Sequence, residues 1–242
     1  MVKIDRRRKY FVVLDVETAG GLEGRLTYDV GFAIVDKKGN IYEERSFLIK
    51  EIFEDKDLMN SAYYAEKVPS YLRELDEGKH QVVSFWEMRE VLLGLMEQYK
   101  VSTFCAYNLK FDMSALKNTT NYLMTGNING SYKFLTPNFK GIKLMCLWSL
   151  SCEVLFSQKS FASFAFKHKL YNAKTGNFRT TAEVAYAYMT NNPTYKEEHK
   201  GLEDVYIETE IMARCLRQNK KFISGIINMP FRLVVKTHGK VQ

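Results

Sequence analysis

A single α/β domain is what this sequence predicts, on three observations. Tyr10 to Asp15 (YFVVLD) is a β-branched and aromatic run without turn residues, which reads as a buried central strand. Two extended stretches, Tyr28 to Val35 and Ile41 to Ile49, flank the turn signal Asp36-Lys37-Lys38-Gly39-Asn40 and read as an antiparallel pair. Downstream the apolar spacing changes to the helical period, with Phe85, Met88, Val91, Leu92, Leu95, Met96 and Tyr99 marking an amphipathic helix over Ser84 to Tyr99.

The other elements follow in chain order. Ser61 to Leu75 has helical spacing, Val101 to Ala106 (VSTFCA) returns to strand, and Leu109 to Leu123 is helical again. Thr125 to Lys140, rich in Gly, Asn and Ser, reads as a long loop. Lys143 to Trp148 is the fifth and last predicted strand. Helical segments near Cys152 to His168, Thr181 to Met189 and Leu202 to Asn219 follow, with Asn191-Asn192-Pro193 as a break before the last. No repeat or Pro/Ser-rich linker divides the chain, so the reading is a basic arm (1–9), one domain (10–219) and a basic C-terminal extension (220–242).

With 242 residues, 46% of them apolar and 14% aromatic, the chain can fill a core, which excludes disordered and collagen-like classes. No apolar run approaches the roughly 18 residues that span a bilayer, and MVKIDRRRKY lacks a signal-peptide core, so a cytoplasmic protein without membrane partners is expected. Cys105, Cys146, Cys152 and Cys215 form no CxxC pair and have no histidine at zinc spacing; they read as reduced core residues.

The net charge of +7 is unevenly spread. Residues 11–99 carry 10 basic and 18 acidic side chains, residues 100–174 carry 10 and 2, and residues 217–242 carry 6 basic and no acidic. Such blocks fit a polyanion bound beside a carboxylate-rich site, or a solvated basic surface.

Three patterns locate that site. Asp15 and Glu17 end the central strand, where residues i and i+2 share a face and place both carboxylates on one side. Asn108-Leu109-Lys110-Phe111-Asp112 follows the VSTFCA strand and puts Asp112 in the first turn of a helix; chance supplies only about 0.03 copies of Asn-x-x-Phe-Asp. His199-Lys200-Gly201-Leu202-Glu203-Asp204 opens the last long helix. Five helical residues turn through about 500°, so His199 belongs to the loop, Gly201 to the bend and Asp204 to the first turn.

In this order the patterns resemble the DEDDh branch of the DnaQ-like 3'-to-5' exonucleases, the group of proofreading subunits, oligoribonuclease and RNase T. DVETAGG and YDVGFAIVD resemble the family's first two strands, and the resemblance spans residues 10–215. The stretch from Thr180 to His199 resembles versions often encoded by phages. Lys200 stands where a sister branch has Tyr, so the histidine branch is the match. Tyr107 replaces a frequent His, and Met145-Cys146 a frequent Asp-Thr pair.

The resemblance implies an RNase H-like fold, a mixed sheet of about five strands flanked by helices. It implies that Asp15, Glu17, Asp112 and Asp204 converge on two Mg²⁺ or Mn²⁺ ions, with His199 as general base and nucleoside 5'-monophosphates as product. Thr18 and Asn108 would grip the 3' end, and Leu22 would wedge against terminal bases or pack at the surface. Tyr107, Phe111 and Phe139 would stack on bases or pack in the core. Lys110, Lys117, Lys133, Lys140 and Lys143 are the phosphate candidates. The substrate expected is single-stranded or frayed DNA, with a polymerase or replication partner. The alternatives are an exoribonuclease of the same chemistry and a non-catalytic nucleic-acid-binding or polymerase-associated module.

Overall fold

The computed structural model describes residues 4–5, 7–20, 24–222 and 225–241. Strands β1 (Tyr10–Ala19), β2 (Leu26–Asp36) and β3 (Ile41–Ile49) form an antiparallel meander. The β2–β3 turn is fixed by Asp36, whose Oδ1 accepts from the backbone N–H groups of Lys38 (2.8 Å) and Asn40 (3.2 Å). β4 (Gln81–Val83) runs parallel to β3, β5 (Thr103–Ala106) parallel to β1, and β6 (Lys143–Cys146) parallel to β5. The mixed sheet has the order β4-β3-β2-β1-β5-β6. The sequence gives five of these strands; β4 is three residues long, too short for alternation to mark it.

Alternation along β1 divides the core. Tyr10, Val12, Leu14 and Val16 face the layer containing α1 (Lys50–Phe53), α2 (Lys56–Asn60), α3 (Val68–Asp76), α4 (Phe85–Gln98) and α5 (Leu109–Thr125). Phe11 and Val13 face the other layer, α6 (Leu147–Val154), α7 (Lys159–Lys167), α8 (Ala182–Thr190), α9 (Gly201–Arg217) and α10 (Phe231–His238). All four cysteines are buried. Among the described residues no helix is long and apolar enough to cross a membrane.

Four boundaries differ from the sequence reading; one is the helix expected near Cys152 to His168, which is split between the end of α6 at Val154 and α7 from Lys159. The helix expected over Ser61 to Leu75 is broken: Ser61 caps the end of α2, Ala65–Lys67 is a 3₁₀ turn, and α3 starts with Pro69 in its first turn. Proline lacks an N–H and its ring clashes with the preceding turn, so it starts a helix here rather than continuing one. The strand expected over Lys143 to Trp148 stops at Cys146, where α6 takes over. The C-terminal segment contains a helix the periodicity did not mark. It is anchored by Ile227 N–H to Ser149 Oγ (3.2 Å), by buried Val234 of α10, and by Val241 N–H to the Gly176 carbonyl (2.9 Å).

Candidate active site

β1 delivers the first two acids. Asp15 and Glu17 continue the face of Phe11 and Val13, at the carboxyl end of a strand paired in parallel with β5. The β1–β2 register then shifts between Glu17 and Thr18, a bulge that returns Ala19 to the opposite core. β5 ends beside this point, and Asn108 leads into α5. Asp112, 2% exposed, lies in the first turn of that helix, where the Val16 backbone N–H opposes the rise of its pKa.

α9 delivers the fourth acid because two glycines let it touch the sheet. A Cβ on Gly31 of β2 would fall 2.1 Å from the Gly201 carbonyl carbon, and a Cβ on Gly201 2.5 Å from the Gly31 nitrogen. Gly201 N–H donates to Asp29 Oδ2 (2.9 Å), which also accepts from the Tyr71 hydroxyl (2.7 Å). Next to it, buried Lys200 is bonded to Glu74, whose Oε2 lies 2.9 Å from His80 Nε2. These contacts tie the first turn of α9, with Asp204 in it, to β2 and α3.

His199 precedes this helix in the left-handed region, at φ 50°, a conformation histidine tolerates better than most residues. Its ring is stacked on Tyr64, with centroids 4.5 Å apart and planes 15° from parallel. Lys67, from the 3₁₀ turn that follows Tyr64, donates to the carbonyls of Glu198 and His199. His199 Nδ1 lies 4.0 Å from Glu197 Oε2.

Together these elements line a cavity of about 400 Å³. Its walls carry six carboxylates, Asp15, Glu17, Asp112, Glu197, Asp204 and Glu208, one histidine, and no lysine or arginine among the described residues. Burial, then the neighbouring charge of Asp29, pushes Glu17 up to about 9. Burial, then Glu197, pushes Asp204 to about 8. Burial raises Asp112 to about 7 against opposing backbone hydrogen bonds, and raises Glu197 to about 7. Asp15 and Glu208 stand well above the carboxylate range, again by burial and then by mutual repulsion within the cluster. His199 goes the other way: burial, then Lys67, lowers its pKa.

The donor set fits a divalent cation. Asp204 Oδ1 and Glu208 Oε2 are buried with no hydrogen-bond partner among the described residues. Glu17, His199 and Asp204 each offer an atom within 4.8 Å of the others. A cluster dominated by carboxylate oxygens suits Mg²⁺ or Mn²⁺, and bound positive charge relieves the repulsion that raises the acids.

Asp15, Glu17, Asp112, His199 and Asp204, all anticipated, thus line one cavity, as do Asn108, Tyr107 and Phe111. Asn108 is exposed and makes no capping bond. Tyr107 is buried, with its hydroxyl bonded to the Thr180 carbonyl (2.8 Å), and the Arg25 guanidinium covers one face of Phe111 at 4.7 Å. Thr18 is half-buried and does not line the cavity; Leu22 lies outside the described residues. Lys110 lines a neighbouring cavity, while Phe139, Lys133 and Lys140 line one that shares no described residue with the acidic cavity. Lys117 and Lys143 are exposed and line neither.

The sequence reading missed Glu208, Glu197, Tyr64, Lys67 and Trp148. Only Glu208 had a local signal: it lies one helical turn beyond Asp204, on the same face. The Tyr107 backbone N–H opposes the rise of its pKa.

No protein-family model and no curated protein matches the sequence. Solved structures do. The nuclease domain of 3'hExo bound to rAMP, a DEDDh family member, matches with a TM-score of 0.55 and 10% identity over 92% of this chain and 98% of that one. The fold is that of the DnaQ-like DEDDh exonucleases. A 3'-exonuclease that recognises the 3' end of histone mRNA stem-loop matches at 0.53 and 11% identity, over 90% of this chain and 85% of that one. E. coli exonuclease I, in complex with an oligonucleotide, matches at 0.51 and 13% identity over 87% of this chain and 42% of that one, so this chain spans less than half of it. At such identities the likeness is one of fold, and function has to be argued from the site.

Proposed function

We propose that the chain is a metal-dependent 3'-5' exonuclease that releases nucleoside 5'-monophosphates from single-stranded or frayed DNA. The observation that carries this reading is the convergence of Asp15, Glu17, Asp112 and Asp204, with His199, in one cavity of a DEDDh-type fold. Four such acids have no use in a passive binding module. Asp15, Glu17, Asp112 and Asp204 would hold two Mg²⁺ or Mn²⁺ ions, which supply positive charge and Lewis acidity for phosphodiester hydrolysis.

The chain's own residues do the rest. His199, its pKa lowered, stays neutral at pH 7 and accepts the proton of the attacking water on a ring nitrogen. Stacking on Tyr64 and the grip of Lys67 on the 198–199 carbonyls fix the imidazole over the acids. The exposed amide of Asn108 is free to meet the 3'-terminal nucleotide. Buried Tyr107 shapes the wall behind it.

The test is incubation of 5'-labelled single-stranded DNA and RNA with Mg²⁺ and then with EDTA. A descending ladder on DNA, erased by EDTA, is expected. A ladder on RNA alone moves the substrate to RNA with the chemistry intact. Internal cutting, or no cutting, overturns the exonuclease reading.

A further inference from the structure

Asn108 and Trp148 border the acidic cavity. Both residues also line a second cavity of about 530 Å³, walled by Lys110 of α5 and by Ile226, Met229 and Arg232 of the C-terminal segment. We propose that this cavity is a second nucleotide subsite, which holds the nucleoside and phosphate immediately 5' of the scissile bond on a single-stranded end. The proposal rests on the exonuclease reading and extends it to a part of the chain outside the three acid motifs.

Charge assigns the two cavities to different parts of the substrate. The first has carboxylates and no lysine or arginine among its described lining residues, so its wall offers a phosphate no side-chain cation. The next phosphate along a strand needs side-chain cations. Lys110 and Arg232, both exposed, provide them in the second cavity. Apolar surface accompanies the charge: Ile226 is 43% and Met229 53% exposed, and both border the cavity beside the Trp148 indole. Aromatic and apolar faces beside cations are what a base and its phosphate require.

The walls are held in place. Trp148 Nε1–H donates to Thr180 Oγ1 (2.9 Å) and its backbone N–H to the Tyr107 carbonyl (2.7 Å), which sets the indole between the cavities. Ile227 N–H donates to Ser149 Oγ, and His238 Nε2 lies 2.7 Å from the Phe156 carbonyl, which seats the C-terminal segment on α6 and the turn after it. The volume falls within the range of about 300–1,000 Å³ usual for small-ligand sites. The smallest substrate with a phosphodiester bond has two nucleosides, one for each cavity.

The experiment compares the full-length protein with Arg232→Ala and Met229→Ala, both exposed positions, in Mg²⁺. Two quantities are read: steady-state release of mononucleotide from an eight-residue oligothymidylate, and inhibition by thymidine 5'-monophosphate. The expected result is a rise in KM of about threefold to tenfold in each variant, with the larger share of the loss in KM rather than kcat. The inhibition constant of the mononucleotide stays at its wild-type value. Arg232→Ala also lowers the slope of log affinity against log salt by about 0.7. Unchanged KM, or KM and inhibition constant rising together, overturns the subsite, the latter because the cavity would then hold the leaving nucleotide. Failure of the wild type to release mononucleotides overturns the exonuclease reading itself.

Discussion

Replacing Gly31 with alanine tests how α9 brings Asp204 to the other acids. The new Cβ would stand 2.1 Å from the Gly201 carbonyl carbon and the Leu202 nitrogen, where ordinary contact begins near 3.4 Å. Both are backbone atoms, so no rotamer relieves the clash. The first turn of α9 must retreat by about 1.3 Å, the difference between those distances. Overpacking of this kind costs about 1–3 kcal/mol, and stretching the 2.9 Å bond from Gly201 N–H to Asp29 adds about 1 kcal/mol. The expected loss of stability is therefore about 2–4 kcal/mol. Asp204 moves with the turn, and a displacement of about 1 Å at a reacting centre costs on the order of a hundredfold in rate. Urea unfolding of the metal-free protein and single-turnover release of mononucleotide from a short oligonucleotide give the two numbers. A variant within about 0.5 kcal/mol of wild type and equally fast would refute the close-approach argument.

Other positions give contrasting outcomes. Gly94, exposed inside α4 with nothing within 4 Å of an added Cβ, is expected to gain about 0.5–1 kcal/mol on replacement by alanine; destabilisation in the same urea assay would contradict that. Metal-free stability should fall as pH rises. Asp112, Asp204 and Glu17 titrate in the fold near 7, 8 and 9 and near 4 when unfolded, so their contribution is complete below about pH 4 and lost as pH climbs through the folded values. Thermal melts from pH 4 to 9 check this, with saturating Mg²⁺ expected to flatten the decline; a metal-free melting temperature that rises over this range would count against the buried-acid picture. His199→Ala should slow hydrolysis by about 10²–10⁴-fold and weaken Mn²⁺ binding far less. Equal losses in rate and ion affinity would instead make His199 a ligand within its 4.8 Å cluster with Glu17 and Asp204.

The parts of the site that could be read in the sequence are those fixed by local periodicity. Asp15 and Glu17 share a face because strands alternate, Asp112 follows a strand into a helix's first turn, and Gly201 marks where α9 starts. The rest depends on distant packing. Tyr64 and Lys67 reach His199 from a 3₁₀ turn and the residue before it, more than 130 residues earlier in the chain, through contacts no local pattern encodes. Glu208 and Glu197 become part of the site only because the fold brings them to the cavity wall. Of the lysines expected at phosphates, Lys133 and Lys140 lie at a separate cavity, while Arg232 comes to the neighbouring one from a segment with little periodic signal.

The central claim is that the buried acids form a divalent-metal centre for cutting nucleic-acid ends. Calorimetric titration of Mn²⁺ into the metal-free protein, with a nucleoside 5'-monophosphate present and Asp15→Asn in parallel, tests it most directly. Two ions per wild-type chain and a loss of binding in the variant are expected. No saturable binding, or the same binding in both proteins, would contradict it.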